Sequence, residues 1–162
     1  MKVPLVPPQP VRISIVSTPA HLPIVRAAAG EICRLIGFAK ANVDAVVVAV
    51  DEALANIIKH AYDGRGDEPI DVTFTALCDG QVQSGLEVVL EDRGKAVDAA
   101  SLHGRDLDDV RPGGLGTHIM GACMDVLNYA PRAGGGTRLT MIKYLRAEPA
   151  AMKAQLTGGT RG

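Results

Sequence analysis

The chain has 162 residues, 47% of them hydrophobic and 22% charged, which fits one soluble globular domain with a sizeable core. Its 17 Lys and Arg residues nearly balance its 18 Asp and Glu residues, so no basic field favours direct binding of nucleic acid. No apolar run approaches the roughly 20 residues of a membrane helix, and the proline-rich start lacks the apolar stretch of a signal peptide. We therefore expect a cytoplasmic protein without membrane contact.

The three cysteines, Cys33, Cys78 and Cys123, are odd in number, widely spaced and set among apolar neighbours. This pattern is typical of buried free thiols in a reducing cytosol. It argues against a disulfide framework and against a metal site built on cysteine.

The N-terminal part of the chain predicts an arm, a strand and a helix. Prolines at positions 4, 7, 8 and 10 make residues 1–10 an extended, flexible arm. Apolar and polar residues alternate over Val11–Ser17, which predicts a strand. A helix is expected to follow, with Thr18 as its N-cap, Pro19 in its first turn and Gly37 at its end.

A second helix is expected from about Asn42, as its N-cap, to about Tyr62. Its run of β-branched valines could be taken for a strand, but the helical apolar pattern continues further than any strand would. The predicted apolar stripe consists of Val43, Val47, Val50, Leu54, Ile57, Ile58 and Ala61.

The rest of the chain predicts four strands, one helix and a long loop. The strands are expected at about 70–78, 86–91, 126–130 and 137–145, the helix at about 115–126 and the loop at 92–116. This order predicts an α+β fold in which helices cover one face of a mixed, mostly antiparallel sheet. We place the folded domain at residues 11–146 and expect residues 147–162 to form a disordered tail.

Glu52, Asn56 and His60 recur every four residues on the second predicted helix. They therefore share one face, which points away from the apolar stripe. A carboxylate there can accept a proton from a hydroxyl group, and an amide oxygen can bind a hard cation such as Mg²⁺. An ordinary solvated helix face would show the same spacing, so this segment alone leaves both interpretations open.

Two further clusters contain residues that could bind a ligand. Asp92 follows an apolar strand and is followed by Gly94, so its carboxylate could accept a hydrogen bond from an exocyclic amine beside a flat ring. Any turn after a strand can look the same. Gly113, Gly114 and Gly116 open a predicted helix, whose free N–H groups and dipole could attract an anion. Neither cluster identifies a ligand by itself.

The order and spacing of the clusters resemble the ATP-binding boxes of the Bergerat (GHKL, histidine-kinase-like) superfamily, and most closely its anti-sigma-factor serine kinases. The resemblance covers roughly residues 11–146 and implies a two-layer α/β sandwich that binds ATP and Mg²⁺. The motifs that carry it are Glu52-x-x-x-Asn56-x-x-x-His60-Ala61-Tyr62, Asp92-x-Gly94-x-x-x-Asp98, Gly114-x-Gly116 and Gly136-Thr137.

The resemblance also implies roles for individual residues. Glu52 would be the general base and Asn56 the Mg²⁺ ligand, while His60 is expected to pack or hydrogen-bond behind the site. Asp92 would bind the adenine amino group beside Gly94, with Thr137 supporting Asp92 through a water. Under a lid from about Asp98 to Gly113, the phosphates would be held by Gly114, Leu115, Gly116 and Thr117, with Arg111 reaching the γ-phosphate.

For the whole protein, the resemblance implies a kinase that phosphorylates a serine on a small anti-sigma-factor antagonist and that sequesters a sigma factor. The first helix, with Arg26, would be the partner surface, although Arg26 fits an ordinary solvated charge equally well. A homodimer is also possible. Two alternatives stay open. One is a nucleotide-gated binding module that transfers no phosphate, and the other is a regulatory kinase with a partner unrelated to sigma factors.

Overall fold

The computed structural model describes residues 9–96 and 115–146. In these ranges, five strands form one sheet in the order β1-β2-β3-β5-β4, and helices pack on one of its faces. The strands are β1 (Val11–Val16), β2 (Pro69–Asp79), β3 (Val82–Glu91), β4 (Val126–Pro131) and β5 (Thr137–Tyr144). The helices are α1 (Leu22–Ile36), α2 (Lys40–Asn56) and α3 (Leu115–Cys123), with a 3₁₀ turn at Pro19–His21 and a π turn at Ile57–Ala61.

The sheet confirms the predicted α+β class and its helix-covered face. Alternate residues of β2 and β3 are buried against the helices: Ile70, Val72, Phe74, Ala76, Leu86, Val88 and Leu90. Every pairing among the described strands is antiparallel, so the parallel part of the expected mixed sheet is not found there. Short turns join β2 to β3 and β4 to β5, and a short turn reverses the chain, which accounts for two of the four antiparallel pairings.

Helix α1 begins later than predicted but ends where expected. Thr18 caps the short 3₁₀ turn with its backbone oxygen, which accepts from the His21 N–H at 3.1 Å, and α1 itself starts at Leu22. Gly37 ends α1 with a φ of 100°. In this left-handed conformation, its N–H donates to the Cys33 and Arg34 carbonyls at 3.1 and 3.0 Å, which is the expected glycine C-cap.

Helix α2 lies between α1 and α3 and packs against both. Its N-cap is Ala39, whose carbonyl accepts the N–H of Asn42 and of Val43 at 2.9 and 3.0 Å, so the predicted Asn42 cap is wrong. Phe38, directly before this cap, is buried in the core. Because α2 has two helical neighbours, its buried surface is wider than predicted and adds Val46, Ala49 and Ala53.

The π turn at Ile57–Ala61 continues α2. A π turn has more residues per turn than an α-helix, so the four-residue spacing that predicted one polar face does not hold beyond Asn56. His60 is exposed on this turn, which contradicts its expected packing behind the site.

The three cysteines are free, as predicted, but they differ in burial. Cys33 is buried in the core, Cys123 is half-buried, and Cys78 is exposed. The expectation for Cys78 is wrong because it follows a register shift near the end of β2, where the alternation that buries the preceding residues is interrupted.

Some of the expected features lie outside the residues that the structure describes. They are residues 1–8 of the arm, Asp98, the lid to Gly113 with Arg111, Gly114 and the 147–162 tail. None of the helices in the described ranges is both long and apolar enough to cross a membrane.

Candidate functional site

Glu52 and Asn56 lie one turn apart on α2 and face the first turn of α3. A Cβ added at Gly116 would lie 2.9 Å from Glu52 Oε2 and 3.2 Å from Asn56 Nδ2. The missing side chain is therefore what lets the N-terminus of α3 approach these two side chains so closely. The structure thus brings together two of the clusters that the sequence singled out.

This junction combines a carboxylate, a side-chain amide and a helix N-terminus. The helix end attracts negative charge, whereas the oxygens of Glu52 and Asn56 are hard donors suited to Mg²⁺. Within residues 9–96 and 115–146, no three His, Cys, Asp or Glu side chains form a metal cluster. Mg²⁺ bound with a nucleotide commonly takes only one or two protein ligands, the rest being phosphate and water oxygens, so the residues present fit it.

Asp92 follows β3 directly and is only 3% exposed. Its Oδ1 accepts the N–H of Gly94 at 2.9 Å and of Thr137 at 3.3 Å. Burial raises the pKa of this carboxyl group, and the two N–H donors together with the nearby Arg132 partly oppose that rise. The backbone donors hold the buried Asp92 carboxylate in one orientation. A fixed orientation suits a group that forms a hydrogen bond with a ligand.

Thr137 contacts Asp92 through its backbone. Its backbone N–H donates to the carboxylate, and its carbonyl accepts the Asp92 N–H at 3.1 Å. Neighbouring Gly136 has a φ of 88°, and a Cβ there would overlap the Asp92 carbonyl oxygen. The turn before β5 therefore lies directly against the backbone of Asp92.

The loop after β3 also contacts the end of the π turn. A Cβ at Gly94 would lie 2.7 Å from the Ala61 carbonyl carbon, so only glycine fits at this distance. The Lys95 N–H donates to the Ala61 carbonyl at 3.0 Å, and its ammonium pairs with Asp63 at 2.7 Å. The second and first sequence clusters are thus joined through backbone contacts.

Leu115 and Thr117 occupy the first turn of α3 with Gly116. Leu115 is 61% exposed, whereas Thr117 is half-buried and shares a hydrogen bond with the Tyr129 side chain. Burial raises the pKa of Tyr129, and this hydrogen bond opposes the rise. The bond ties the start of α3 to β4.

Sequence reasoning missed two residues that hold the site in shape. Arg132 donates to the Asp92 carbonyl at 2.9 Å and pairs with Glu91 at 3.4 Å. Tyr62 is fully buried, and its hydroxyl contacts the backbone at Pro69 and Arg93. Tyr62 belongs to the motif that begins at Glu52, but its position there predicts no role for its hydroxyl group. Nothing in the sequence around Arg132 indicates its contact with Asp92.

Residues 15–143 match the family model described as the histidine kinase-like ATPase domain. The chain belongs to this family. The motif order had indicated the same superfamily, and the ATPase domain implies that the protein binds ATP.

The similar proteins include serine-protein kinases RsbW. The relative from Bacillus velezensis is 25% identical over 146 residues, covering 85% of this chain and 87% of the relative. The one from Bacillus subtilis is 23% identical over 146 residues, with the same coverage. The one from Staphylococcus epidermidis is 28% identical over 109 residues, covering 62% of this chain and 65% of the relative.

A crystal structure of the RsbU and RsbW domains of a Mycobacterium tuberculosis protein superposes with a TM-score of 0.61 at 21% identity. The match covers 87% of this chain and 34% of the mycobacterial one, so this chain spans about a third of that protein. At this identity, the likeness shows the shared fold.

Proposed function

We propose that the protein is a Mg-ATP-dependent serine-protein kinase that acts as an anti-sigma factor. It phosphorylates a small anti-sigma-factor antagonist and sequesters a sigma factor. The observation that carries the proposal is the close approach of Gly116 to Glu52 and Asn56, which joins a base, a cation ligand and an anion-attracting helix end. The relatives named serine-protein kinase RsbW support the choice of substrate and partner.

Asp92 recognises adenine in this proposal. Its Oδ1 already accepts two backbone N–H groups, so Oδ2 is the oxygen offered to the exocyclic amine. Gly94 lets the flat base lie against the backbone, and Thr137 supports the carboxylate.

The start of α3 binds the phosphates. Leu115, Gly116 and Thr117 present N–H groups at the helix N-terminus, where phosphate oxygens are favoured. Gly114 and Arg111, outside the described residues, complete this role at the end of the lid. Asn56 would hold Mg²⁺, which when bound offsets negative charge on the phosphates.

Glu52 is the general base. It accepts the proton of the substrate serine as the serine oxygen attacks the γ-phosphorus, and ADP leaves with the electrons of the broken P–O bond. The helix N-terminus stabilises negative charge that develops on the phosphoryl oxygens. The phosphate gained by the antagonist then weakens its interface through charge repulsion and desolvation.

Calorimetry tests nucleotide binding first. We expect ATP to bind with Mg²⁺ in the micromolar range, about −7 to −8 kcal/mol. Asn56→Ala should weaken the Mg²⁺-dependent part of binding because a hard-cation ligand is lost. Absence of ATP binding by the unmodified protein at millimolar nucleotide would refute the proposal.

Radiolabelled phosphate transfer to candidate antagonist proteins tests the chemistry. Glu52→Gln keeps the side-chain shape but cannot accept the proton, so transfer should fall by roughly 10²–10⁴ while nucleotide and partner binding change little. Partner binding without transfer by the unmodified protein would instead identify a nucleotide-gated binding module. Transfer at full rate by Glu52→Gln would remove Glu52 from the role of base.

A further inference from the structure

The hydroxyl group of Tyr62 joins three segments of the candidate site. Tyr62 directly follows the π turn and is fully buried. Its hydroxyl donates to the Pro69 carbonyl at 2.5 Å, at the start of β2, and accepts the Arg93 N–H at 2.7 Å. Arg93 immediately follows Asp92, so the hydroxyl acts on the backbone next to the buried carboxylate.

We propose that Tyr62 is a positioning residue for adenine recognition, whose hydroxyl fixes the Arg93 backbone and thereby the direction of the Asp92 carboxylate. The inference rests on the proposed role of Asp92. Tyr62 does not touch the nucleotide itself and acts only through the loop.

The contacts around Tyr62 explain why its hydroxyl controls orientation. The loop from Asp92 to Lys95 is held on one side by the Gly94 N–H on Asp92 Oδ1 and on the other by the Lys95 N–H on the Ala61 carbonyl. The Arg93 N–H lies between these two bonds and depends on Tyr62. Arg132 holds the carbonyl of the same peptide at 2.9 Å, so Tyr62 and Arg132 fix its two ends. Without the Tyr62 acceptor, only the carbonyl end stays bonded, and the N–H end can tilt toward water and shift the adjoining Asp92.

The same contacts link the two ends of the site. Ala61 and Tyr62 continue the helix that carries Glu52 and Asn56, so a shift of this helix end moves the acceptors of both Arg93 and Lys95. The close fit of Gly94 against Ala61 leaves no slack between the segments. Tyr62 thus holds the base-recognition loop from the end of the helix that carries Glu52 and Asn56, without contacting the start of α3 in the described residues.

The test is Tyr62→Phe, which removes one oxygen and keeps the ring. Because an amide is left without its acceptor, we expect ATP affinity to fall roughly tenfold and the preference for ATP over GTP to fall with it. Affinity for inorganic triphosphate, which has no base, should stay within about twofold, since the phosphate side is intact. Competition against a fluorescent ATP analogue measures all three ligands.

Tyr144→Phe is the matched control. Tyr144 is 44% exposed on β5, away from Asp92, and its loss of a hydroxyl should change none of the three affinities. The inference is overturned if Tyr62→Phe keeps the preference of the unmodified protein for ATP over GTP. It is also overturned if the variant loses as much affinity for triphosphate as for ATP, because a merely structural role predicts that result. An unmodified protein that binds no ATP, or that binds ATP and GTP equally, would instead refute the proposed function on which the inference rests.

Hydrogen exchange of the unmodified protein provides a second test, which holds even where Tyr62→Phe does not fold. Arg93 is exposed, yet its N–H donates to a buried hydroxyl. We expect this amide to exchange as slowly as the amides of β3. Exchange at the rate of an unstructured peptide would overturn the inference, since an N–H that is not held cannot orient its neighbour.

Discussion

At the scale of single residues, Gly116 lies so close to Glu52 and Asn56 that there is no space for a Cβ at this position. We expect Gly116→Ala to retain the fold, because alanine favours a helix over glycine by about 0.5–1 kcal/mol and the crowded atoms are side-chain ends. The added methyl displaces both side chains, so phosphate transfer should fall by roughly 10²-fold. Thermal unfolding and transfer assays on the same preparation measure the two effects.

Gly121→Ala is the control for that change. Gly121 lies on the same helix, and a Cβ there would have nothing within 4 Å. It should gain the helical preference of alanine and keep full activity. Equal activity of the two variants would show that the space at Gly116 does not matter to the site.

Burial of the ionised Asp92 carboxylate lowers the stability of the folded protein. Since burial raises its pKa in the folded protein, Asp92 adds stability below its ordinary pKa of 3.8, and this contribution is lost as pH rises through the raised value. Asp92→Asn keeps an oxygen for the Gly94 and Thr137 N–H groups but carries no charge. We expect the variant to be more stable than the unmodified protein at neutral pH.

Urea unfolding of both proteins from pH 4 to pH 8 measures this difference. The stability difference should shrink as the pH falls and the Asp92 carboxyl group takes up its proton. The variant should also discriminate less between ATP and GTP, because an amide can present a donor to the purine amine. A variant less stable than the unmodified protein at pH 8 would show that the charge itself is needed for folding.

Single residues could be predicted from the sequence where motif spacing marks them. Glu52, Asn56 and Gly116 were singled out by position, and the structure brings them together. Tyr62 and Arg132 were missed because their roles depend on partners 31 and 40 positions away. Such contacts leave no local pattern in the chain.

The turn between β4 and β5, at the scale of elements, contains three glycines with positive φ. Gly134 and Gly136 have nearly equal φ values of 90° and 88°, but a Cβ at Gly134 meets nothing, whereas one at Gly136 overlaps the Asp92 backbone. Gly134→Ala should cost about 1–2 kcal/mol, the price of a left-handed alanine. Gly136→Ala should cost clearly more.

Unfolding by urea gives both free energies, and the matched φ values isolate the effect of contact. Gly136→Ala should also weaken ATP binding, because it displaces the backbone of Asp92. Equal costs for the two variants would show that the turn can move away from Asp92 without penalty.

The elements themselves were largely predictable, and their ends less so. The sequence predicted each described strand and α-helix, but α2 begins at Lys40, before the expected cap, and its end changes to a π turn. Neither feature has a local signal. Buried Phe38 precedes the start of α2, and the contacts of Ala61 and Tyr62 with the loop after β3 accompany the π turn.

The reactivity of Cys33 measures how often the core of the whole molecule opens. It is fully buried, and burial raises the pKa of its thiol to about 12. We expect a thiol reagent at pH 8 to label exposed Cys78 quickly and Cys33 only when the core opens. ATP at 100 times its dissociation constant should slow Cys33 labelling by about 100-fold, because it stabilises the folded state by about 2.7 kcal/mol.

Mass spectrometry of peptides containing each cysteine separates the two rates. A Cys78→Ser variant checks that labelling at the surface does not itself open the core. Rapid labelling of Cys33 in the folded protein would mean that α1 separates from α2 without global unfolding.

At the scale of the molecule, the family and the layer arrangement followed from the order of the motifs, because a nucleotide site of this kind requires its parts at fixed places in one fold. The strand order could not be obtained in that way. It depends on the pairing of β3 with β5 across the intervening α3 and β4, a contact that local periodicity does not encode.

The pairing of β1 with β2 has a consequence for synthesis on the ribosome. Ser14 and Asp71, which pair across these strands, are 57 positions apart. At roughly 5–20 residues per second, β2 emerges about 3–11 s after β1, and the apolar residues of β1 have no strand partner during that time. The β2–β3 hairpin, by contrast, closes as soon as both its strands are made. Strand β1 is therefore translated well before the strand with which it pairs, and during this wait its apolar side chains are open to wrong association.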